Sequence, residues 1–221
     1  MSSGPHIALA ATSLAPRKRA EAAQAFALHS GAWSQTAGAQ LAAPPKLEDE
    51  VFTVVLGDAV HAFDRLVDLT ERLWPLPLRA VLVSAGRNAG EGAMQRARQK
   101  AREALDRAAK DGARFRIQLS GRDEQDAHLA EGLALLHAVI TEGWTPTRHQ
   151  AVRAYRELGR QKDVAGRLEV TQQAVSQMLR GARLRELREV EEAMRGWFAE
   201  PTKPGLWPLK NLSLEPVGAA D

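Results

Sequence analysis

The sequence predicts a mixed α+β chain, in which an α/β layer domain is followed by an all-helical one. Three observations carry this expectation. Between residues 1 and 142, short runs rich in apolar and β-branched residues alternate with helical periodicities, the pattern of a sheet layered with helices. After GWTPT, residues 143–147, no strand pattern recurs before the tail. The stretch QKDVAGRLEVTQQAVSQMLR, residues 161–180, then sets out two short helices around a tight turn.

The elements follow in order. HIALAAT, residues 6–12, reads as a short buried strand. Pro16 opens an alanine-rich helical stretch, and residues 30–50, with Gly, Ser, Pro and acids, read as a loop or an irregular hairpin. VFTVVLGD, residues 51–58, is dense in β-branched residues and is the strongest strand. A helix is expected from about residue 59 to 74, stopped by Pro75 and Pro77, and LRAVLVSAG, residues 78–86, is the next strand. Residues 91–110 form a long helix with Ala93, Ala97, Ala101, Ala104, Leu105 and Ala108 on one stripe, ended by Gly112. ARFRIQLSG, residues 113–121, alternates Phe115, Ile117 and Leu119 with Arg114, Arg116 and Gln118, as a half-exposed edge strand does. A further helix over residues 123–142 places Leu129, Leu133, Leu136 and Ile140 on its expected inward side. The expected division is an α/β domain over 1–142, a helical domain over 145–200 and a tail over 201–221.

Composition narrows the function. Hydrophobic residues at 44% against charged residues at 26% are the balance of a globular chain. The chain has no cysteine, which excludes disulfides, thiolate catalysis and cysteine-held metals. No apolar run is long enough to cross a bilayer, and the N-terminal basic residues follow the apolar patch instead of preceding it, the wrong order for a secretory signal. The expectation is a cytoplasmic protein with no membrane partner. His6, His29, His128, His137 and His149 have no metal-ligand spacing, so neither a metal nor a cofactor is expected. The net charge of +3 permits nucleic-acid binding without requiring it.

The helical half carries the sharper signal. Thr147 is a candidate cap for a helix from about Arg148 to Leu158, which Gly159 breaks. Gln161 to Leu168 is a second helix, Glu169-Val170-Thr171 a turn, and Thr171 the cap of a third helix reaching about Arg180. Ala165 is small where the helices approach, and Val164, Leu168, Val170, Val175, Met178 and Leu179 are placed to close a small core. That leaves Gln172, Gln173, Ser176, Gln177 and Arg180 on the opposite face of the third helix. Glutamine can bond an adenine edge bidentately in the major groove, and arginine a guanine or a phosphate. Thr171, Arg167 and Lys162 are candidates for the phosphate backbone, Thr171 because a helix N-terminus holds phosphate. Arg148, Arg153, Arg156, Arg160, Lys162, Arg167, Arg180 and Arg183 make this the basic part of the domain, the acids falling mostly after residue 185.

The stretch VAGRLEVTQQAVSQMLRGA resembles the helix-turn-helix of bacterial regulators and sigma-factor-like domains. It departs from their pattern at Glu169, where the turn usually begins with glycine. A left-handed glutamate is strained, and an acid beside DNA weakens phosphate attraction. The same apolar spacing also fits a plain three-helix bundle. Residues 186–198 form one more helix with a seam of Leu187, Val190, Met194 and Trp197, which either pairs with a second subunit or folds back on its own chain. In the tail, Trp207 and Leu212 are the candidates for docking on the body.

The order of elements in the first half, with Leu56-Gly57-Asp58 after a strand and AMQRARQKAREAL in the long helix, resembles the SatD family. That family commonly has an aspartate on its first strand, a GDEFQ stretch after the second and a G-x-A-x-x-x-A-R-E-A-L helix after the third. Its fold is similar to the catalytic domain of class III nucleotidyl cyclases and of GGDEF proteins. The resemblance therefore implies a ferredoxin- or cyclase-like α/β sandwich. In active relatives, carboxylates of the first strand and the GD turn hold two divalent cations on a triphosphate. Here the turn keeps Asp58, but the first strand reads ALAATS and offers no acid. The domain is then a degenerate one, and the chain is not expected to be an enzyme. Asp58 is either a turn residue or a ligand remnant, with His61 one helical turn on. Arg96, Arg98 and Arg102, with Arg87-Asn88 and the glycines of 84–92, are either a phosphate-binding surface or a solvated helix face.

The sequence thus reads as a sequence-specific DNA-binding protein, a transcriptional regulator, whose α/β domain serves dimerisation or ligand sensing. Expected partners are double-stranded DNA, a second copy of the chain and a nucleotide effector. The alternatives are a nucleotide- or metal-binding enzyme-like protein with an accessory helical bundle, or a protein–protein interaction module.

Overall fold

A strand buried along its whole length, β1 (Ile7–Ser13), is the centre of a five-stranded sheet. The computed structural model describes residues 6–37, 41–86 and 90–199, apart from the side chains of His29 and of residues 32–37. A short 3-10 turn leads from β1 into α1 (Arg19–Ala37), and β2 (Leu41–Glu48) and β3 (Val51–Leu56) follow as a hairpin. Then come α2 (Ala62–Arg72), β4 (Leu78–Ser84), α3 (Glu91–Lys110), β5 (Phe115–Gln118) and α4 (Glu124–Glu142). Four helices close the described chain: α5 (Pro146–Leu158), α6 (Gln161–Leu168), α7 (Gln172–Gly181) and α8 (Leu184–Ala199). The architecture is the α+β one expected, an α/β part followed by a helical part.

The sheet order is β2-β3-β1-β4-β5. β1 is antiparallel to both β3 and β4, and β5 joins β4 in parallel. Two split βαβ units therefore interlock around β1, the ferredoxin-like arrangement with β5 added at one edge. Pleating sends Ile7, Leu9 and Ala11 to one face, with Phe26 of α1 and Phe63 of α2, and Ala8 and Ala10 to the other, with α3. The second face is small against small. Ala8 and Ala10 meet Ala97, Ala101, Ala104 and Ala108, so the α3 backbone sits close to the sheet. On the first face, Phe26 and Phe52 stack at 4.9 Å between ring centres.

Residues 30–50 differ in detail from the expected loop or hairpin. α1 runs on to Ala37, and β2 pairs with β3 through register shifts around Ala43 and Lys46. Pro44 and Pro45 lie within the second shift, between Ala43 and Lys46, and have no N–H to donate to a ladder. Asp49 and Glu50 both take positive φ (49° and 62°), as a two-residue hairpin turn requires. Arg98 of α3 braces this irregular edge. It is buried and donates to the carbonyl oxygens of Thr53 (3.0 Å) and Pro44 (2.5 Å), and burial holds its pKa below the usual arginine value.

One helix departs from the sequence expectation, and another takes one of the two courses left open for it. α4 turns its alanines, Ala130, Ala134 and Ala138, inward together with His137, while Leu129, Leu136 and Ile140, expected on the buried side, are exposed. Leu133 alone of that set packs against the core. α8 folds back along its own chain. Leu184 and Leu187 belong to the helical core, whereas Met194 and Phe198 belong to the core beneath the sheet. Of the two alternatives for its apolar seam, folding back on its own chain is the one seen: Leu187 and Met194 are buried and Val190 and Trp197 pack at the edge of the core, so α8 spans the boundary drawn at 143–147.

Candidate nucleic-acid interface

Local chemistry builds the α5–α7 unit. Thr145, not Thr147, caps α5: its hydroxyl accepts from the Arg148 N–H at 3.3 Å, with Pro146 at the first helical position. Gly159 ends α5 in the left-handed region at φ 73°. α6 ends in the same way at Glu169, whose φ of 55° and ψ of 40° are left-handed, and its N–H donates to the Ala165 carbonyl. The strain anticipated at this glutamate is therefore present. Thr171 caps α7, its Oγ1 accepting from the Ala174 N–H at 3.1 Å. Val152, Val164, Ala165, Val175 and Leu179 are buried together, with Leu168 and Met178 packed at the edge. Val170, expected in this core, is 40% exposed. Trp144, ahead of α5, plugs the core and donates from Nε1 to the Ala182 carbonyl at 2.9 Å.

With Val175 and Leu179 inward, the outward face of α7 carries Gln172, Gln173, Gln177 and Arg180, all exposed, and a half-buried Ser176. These five candidates share one stripe of the helix. Thr171 sits at its N-terminal end and Lys162 is exposed on α6. Arg167 is exposed but pairs with Glu157 at 2.5 Å, so phosphate contact would have to displace that acid.

The basic surface is redistributed relative to the sequence reading. Arg153 bonds Asp68 (3.0 Å) and Arg156 bonds Glu71 and Glu191 (2.7 and 2.6 Å), all within the junction with α2 and α8. Arg148 lies over Gly181, where an added Cβ would come within 2.9 Å of its Nε. The exposed cations that remain near α7 are Arg160, Lys162, Arg180, Arg183, Arg185 and Arg188. Arg183, Arg185 and Arg188 join Ser176 and Arg180 around a groove of about 690 Å³ between α7 and α8, whose lining also includes Glu186, Glu189 and Glu192. Arg185 and Arg188 lie beyond the basic stretch marked by sequence, because periodicity does not give the direction of α8.

The junction itself is a buried ionic network. The Glu71 side chain is fully shielded from solvent, and Glu191 accepts from Arg156 and is hydrogen bonded to His137 Nε2 at 3.0 Å. Burial alone would raise the Glu191 pKa, but hydrogen bonds from His137 and Arg156 and their charge hold it down at about 2. Asp68 is likewise kept below the ordinary carboxylate value: burial opposes this, and bonds from Arg72 and Arg153 prevail. Arg195 and Asp64 add a second bridge between α8 and α2 at 2.9 Å.

Asp58 is occupied by its own turn. One carboxylate oxygen accepts from the Val60 N–H (2.8 Å) and the other meets His61 Nδ1 at 2.7 Å. Leu56 pairs with Ile7, so Asp58 lies beyond the start of β1, at the other end of the strand from Thr12 and Ser13. Among the described residues no three His, Asp or Glu side chains gather as a metal site. Arg102 is held by Asp49 (2.8 Å) and the Glu48 carbonyl (3.0 Å). Of the α3 arginines considered for phosphate, Arg96 lines an open cleft, with Lys100, Ser84, Ser120 and Gly86. Arg87 and Asn88, and Trp207 and Leu212 of the tail, lie outside the described residues. No described helix is long and apolar enough to cross a membrane. No protein-family model matches the chain, and no curated protein matches it.

Proposed function

We propose that the chain is a sequence-specific DNA-binding protein that regulates transcription in the cytoplasm, using α6, the Glu169–Thr171 turn and α7 as a helix-turn-helix. One observation carries the reading. α7 is capped by Thr171, buries Val175 and Leu179, and leaves Gln172, Gln173, Gln177 and Arg180 exposed on one stripe beside further arginines of α8. That is a stripe of side chains able to read base edges, flanked by cations for the backbone. Paired half-sites ask for two copies of such a unit, so a homodimer belongs to the proposal.

The α/β part then acts as scaffold or sensor, and the junction of Arg153 and Arg156 with Glu71 and Glu191 ties the reading helices to it. No reaction is assigned to the chain, since the Asp58 carboxylate is bonded within its own turn. The test is fluorescence anisotropy with mixed duplex DNA at two salt concentrations, the wild type beside the Gln173→Ala/Gln177→Ala variant. Binding should weaken steeply with salt as counterions are released, and the variant should lose sequence preference. Absence of binding at low salt sinks the proposal and turns attention to nucleotide and protein partners.

A further inference from the structure

We infer that α4 and the adjoining wall of α8 form a two-fold interface with a second copy of this chain. The starting point is an inversion. α4 has a stripe of alanines and a stripe of large apolar residues, and it is the alanines that are buried. Leu129, Leu135, Leu136, Val139 and Ile140 face outward, Leu136 at 60% exposure. Between Ala127 and Thr141 the helix carries a single charged residue, Glu131. It is turned to β5, where it bonds Arg116 (2.8 Å) and the Ile117 N–H (2.9 Å). Four turns of helix thus present no charge to water, and a patch of that kind on a folded chain marks an interaction surface.

The occupant follows from shape and charge. Beside the ridge of Leu136 and Val139 runs an apolar groove of about 590 Å³, with Leu129 and Leu133 on one wall and Ala193 and Trp197 on the other. Arg122 stacks on the Trp197 ring at 4.7 Å and bonds its carbonyl oxygen, so this wall is preformed. Gly132 and Gly196 stand where nothing lies within 4 Å of an added Cβ, leaving room for close helix approach. A ridge and a groove side by side on one face are self-complementary under a two-fold axis: each copy's ridge enters its partner's groove. The ridge itself carries no charge, and the charged groups beside it, Asp126 in the groove lining and the Arg122 guanidinium on the Trp197 wall, are of opposite sign. α4 is about 28 Å long, and with the α8 wall the face is about 20 Å across. That is on the order of 560 Å² per copy, below the roughly 800 Å² of a standard interface, which points to a dimer that dissociates at micromolar concentration.

The inference draws on the DNA-binding proposal only for the expectation of two copies, and its test uses no DNA. Sedimentation velocity of the full chain across micromolar concentrations should show a monomer–dimer equilibrium. Leu136→Asp should weaken it by about a hundredfold, because an unpaired carboxylate would be buried. Gln95→Asp, on the exposed side of α3 across the sheet, should leave it unchanged. Leu136 is exposed, so the variant keeps its fold, checked by circular dichroism. A full chain that stays monomeric overturns the inference. If removing residues 201–221 then allows dimerisation, the tail with its Leu206, Trp207 and Leu209 is the occupant instead. A dimer indifferent to Leu136→Asp also overturns it and moves the interface elsewhere. A wild type that self-associates but binds no duplex at low salt counts against the DNA reading alone.

Discussion

The Arg156 guanidinium meets the Glu71 carboxylate at 2.7 Å across a separation of 85 residues, and the same guanidinium holds Glu191 at 2.6 Å. One side chain of α5 therefore links α2 of the α/β part to α8. A buried pair of this kind is weak evidence of net stabilisation, but breaking it by removing one partner is costly because the other charge stays desolvated. Glu71→Gln and Arg156→Ala should each lower stability by about 3 kcal/mol, read from urea unfolding. The wild type should unfold in one transition, since α8 contributes Leu187 to one core and Met194 to the other. Two separate transitions would show that the halves are independent.

Acid should dismantle the same junction. Glu191 is held at about 2 against an ordinary 4.5, and Asp68 is also depressed. Groups with lowered folded-state values stabilise above the unfolded value and lose that contribution as pH falls through the folded one. Stability should therefore drop between about pH 5 and pH 2. Glu191→Gln should flatten that limb of a melting-temperature profile while lowering stability at neutral pH. An unchanged acid limb would show that Glu191 is not the group responsible.

The turn between α6 and α7 carries strain that glycine would remove. Glu169 sits at φ 55°, and a side chain in that region costs about 1 kcal/mol relative to glycine. Glu169→Gly should raise stability by up to about 1 kcal/mol, part of the gain being offset by unfolded-chain entropy. It should also tighten DNA binding by removing an acid beside the phosphates. Thr171→Ala, which removes the cap on α7, should cost about 1 kcal/mol. Thermal melts of both variants check the two signs together.

Backbone and base contacts separate by salt. Lys162 and Arg183 are exposed cations that flank the glutamine face of α7. Alanine at either position should weaken binding about equally for all duplexes and reduce the slope of log affinity against log salt by about 1. A change in sequence preference without a change in slope would assign them to base edges.

Local chemistry made much of this protein legible. The α5–α7 unit follows from caps and breakers that act within four residues, so its helices, the left-handed Glu169 and the outward glutamines could be read from spacing. Thr145 was missed as the cap because Thr147 offers the same hydroxyl two residues later. The strands of the sheet were legible from their β-branched runs, except β2, whose prolines hide the pattern.

The sequence by itself determined that an α/β sheet precedes a capped helical unit and which side chains of α7 turn away from its core. Only the tertiary structure decided where α8 goes, which stripe of α4 is buried and which arginines are left for a partner. Periodicity shows that a helix has an apolar face, but not what covers it: on α4, alanines and leucines repeat at the same interval, and close packing against β5 and α8 selects the smaller ones. Charge counts fail for a like reason. Arg153 and Arg156 look the same in sequence as Arg180, and they differ because Glu71 and Asp68, more than 80 residues away, fold against them.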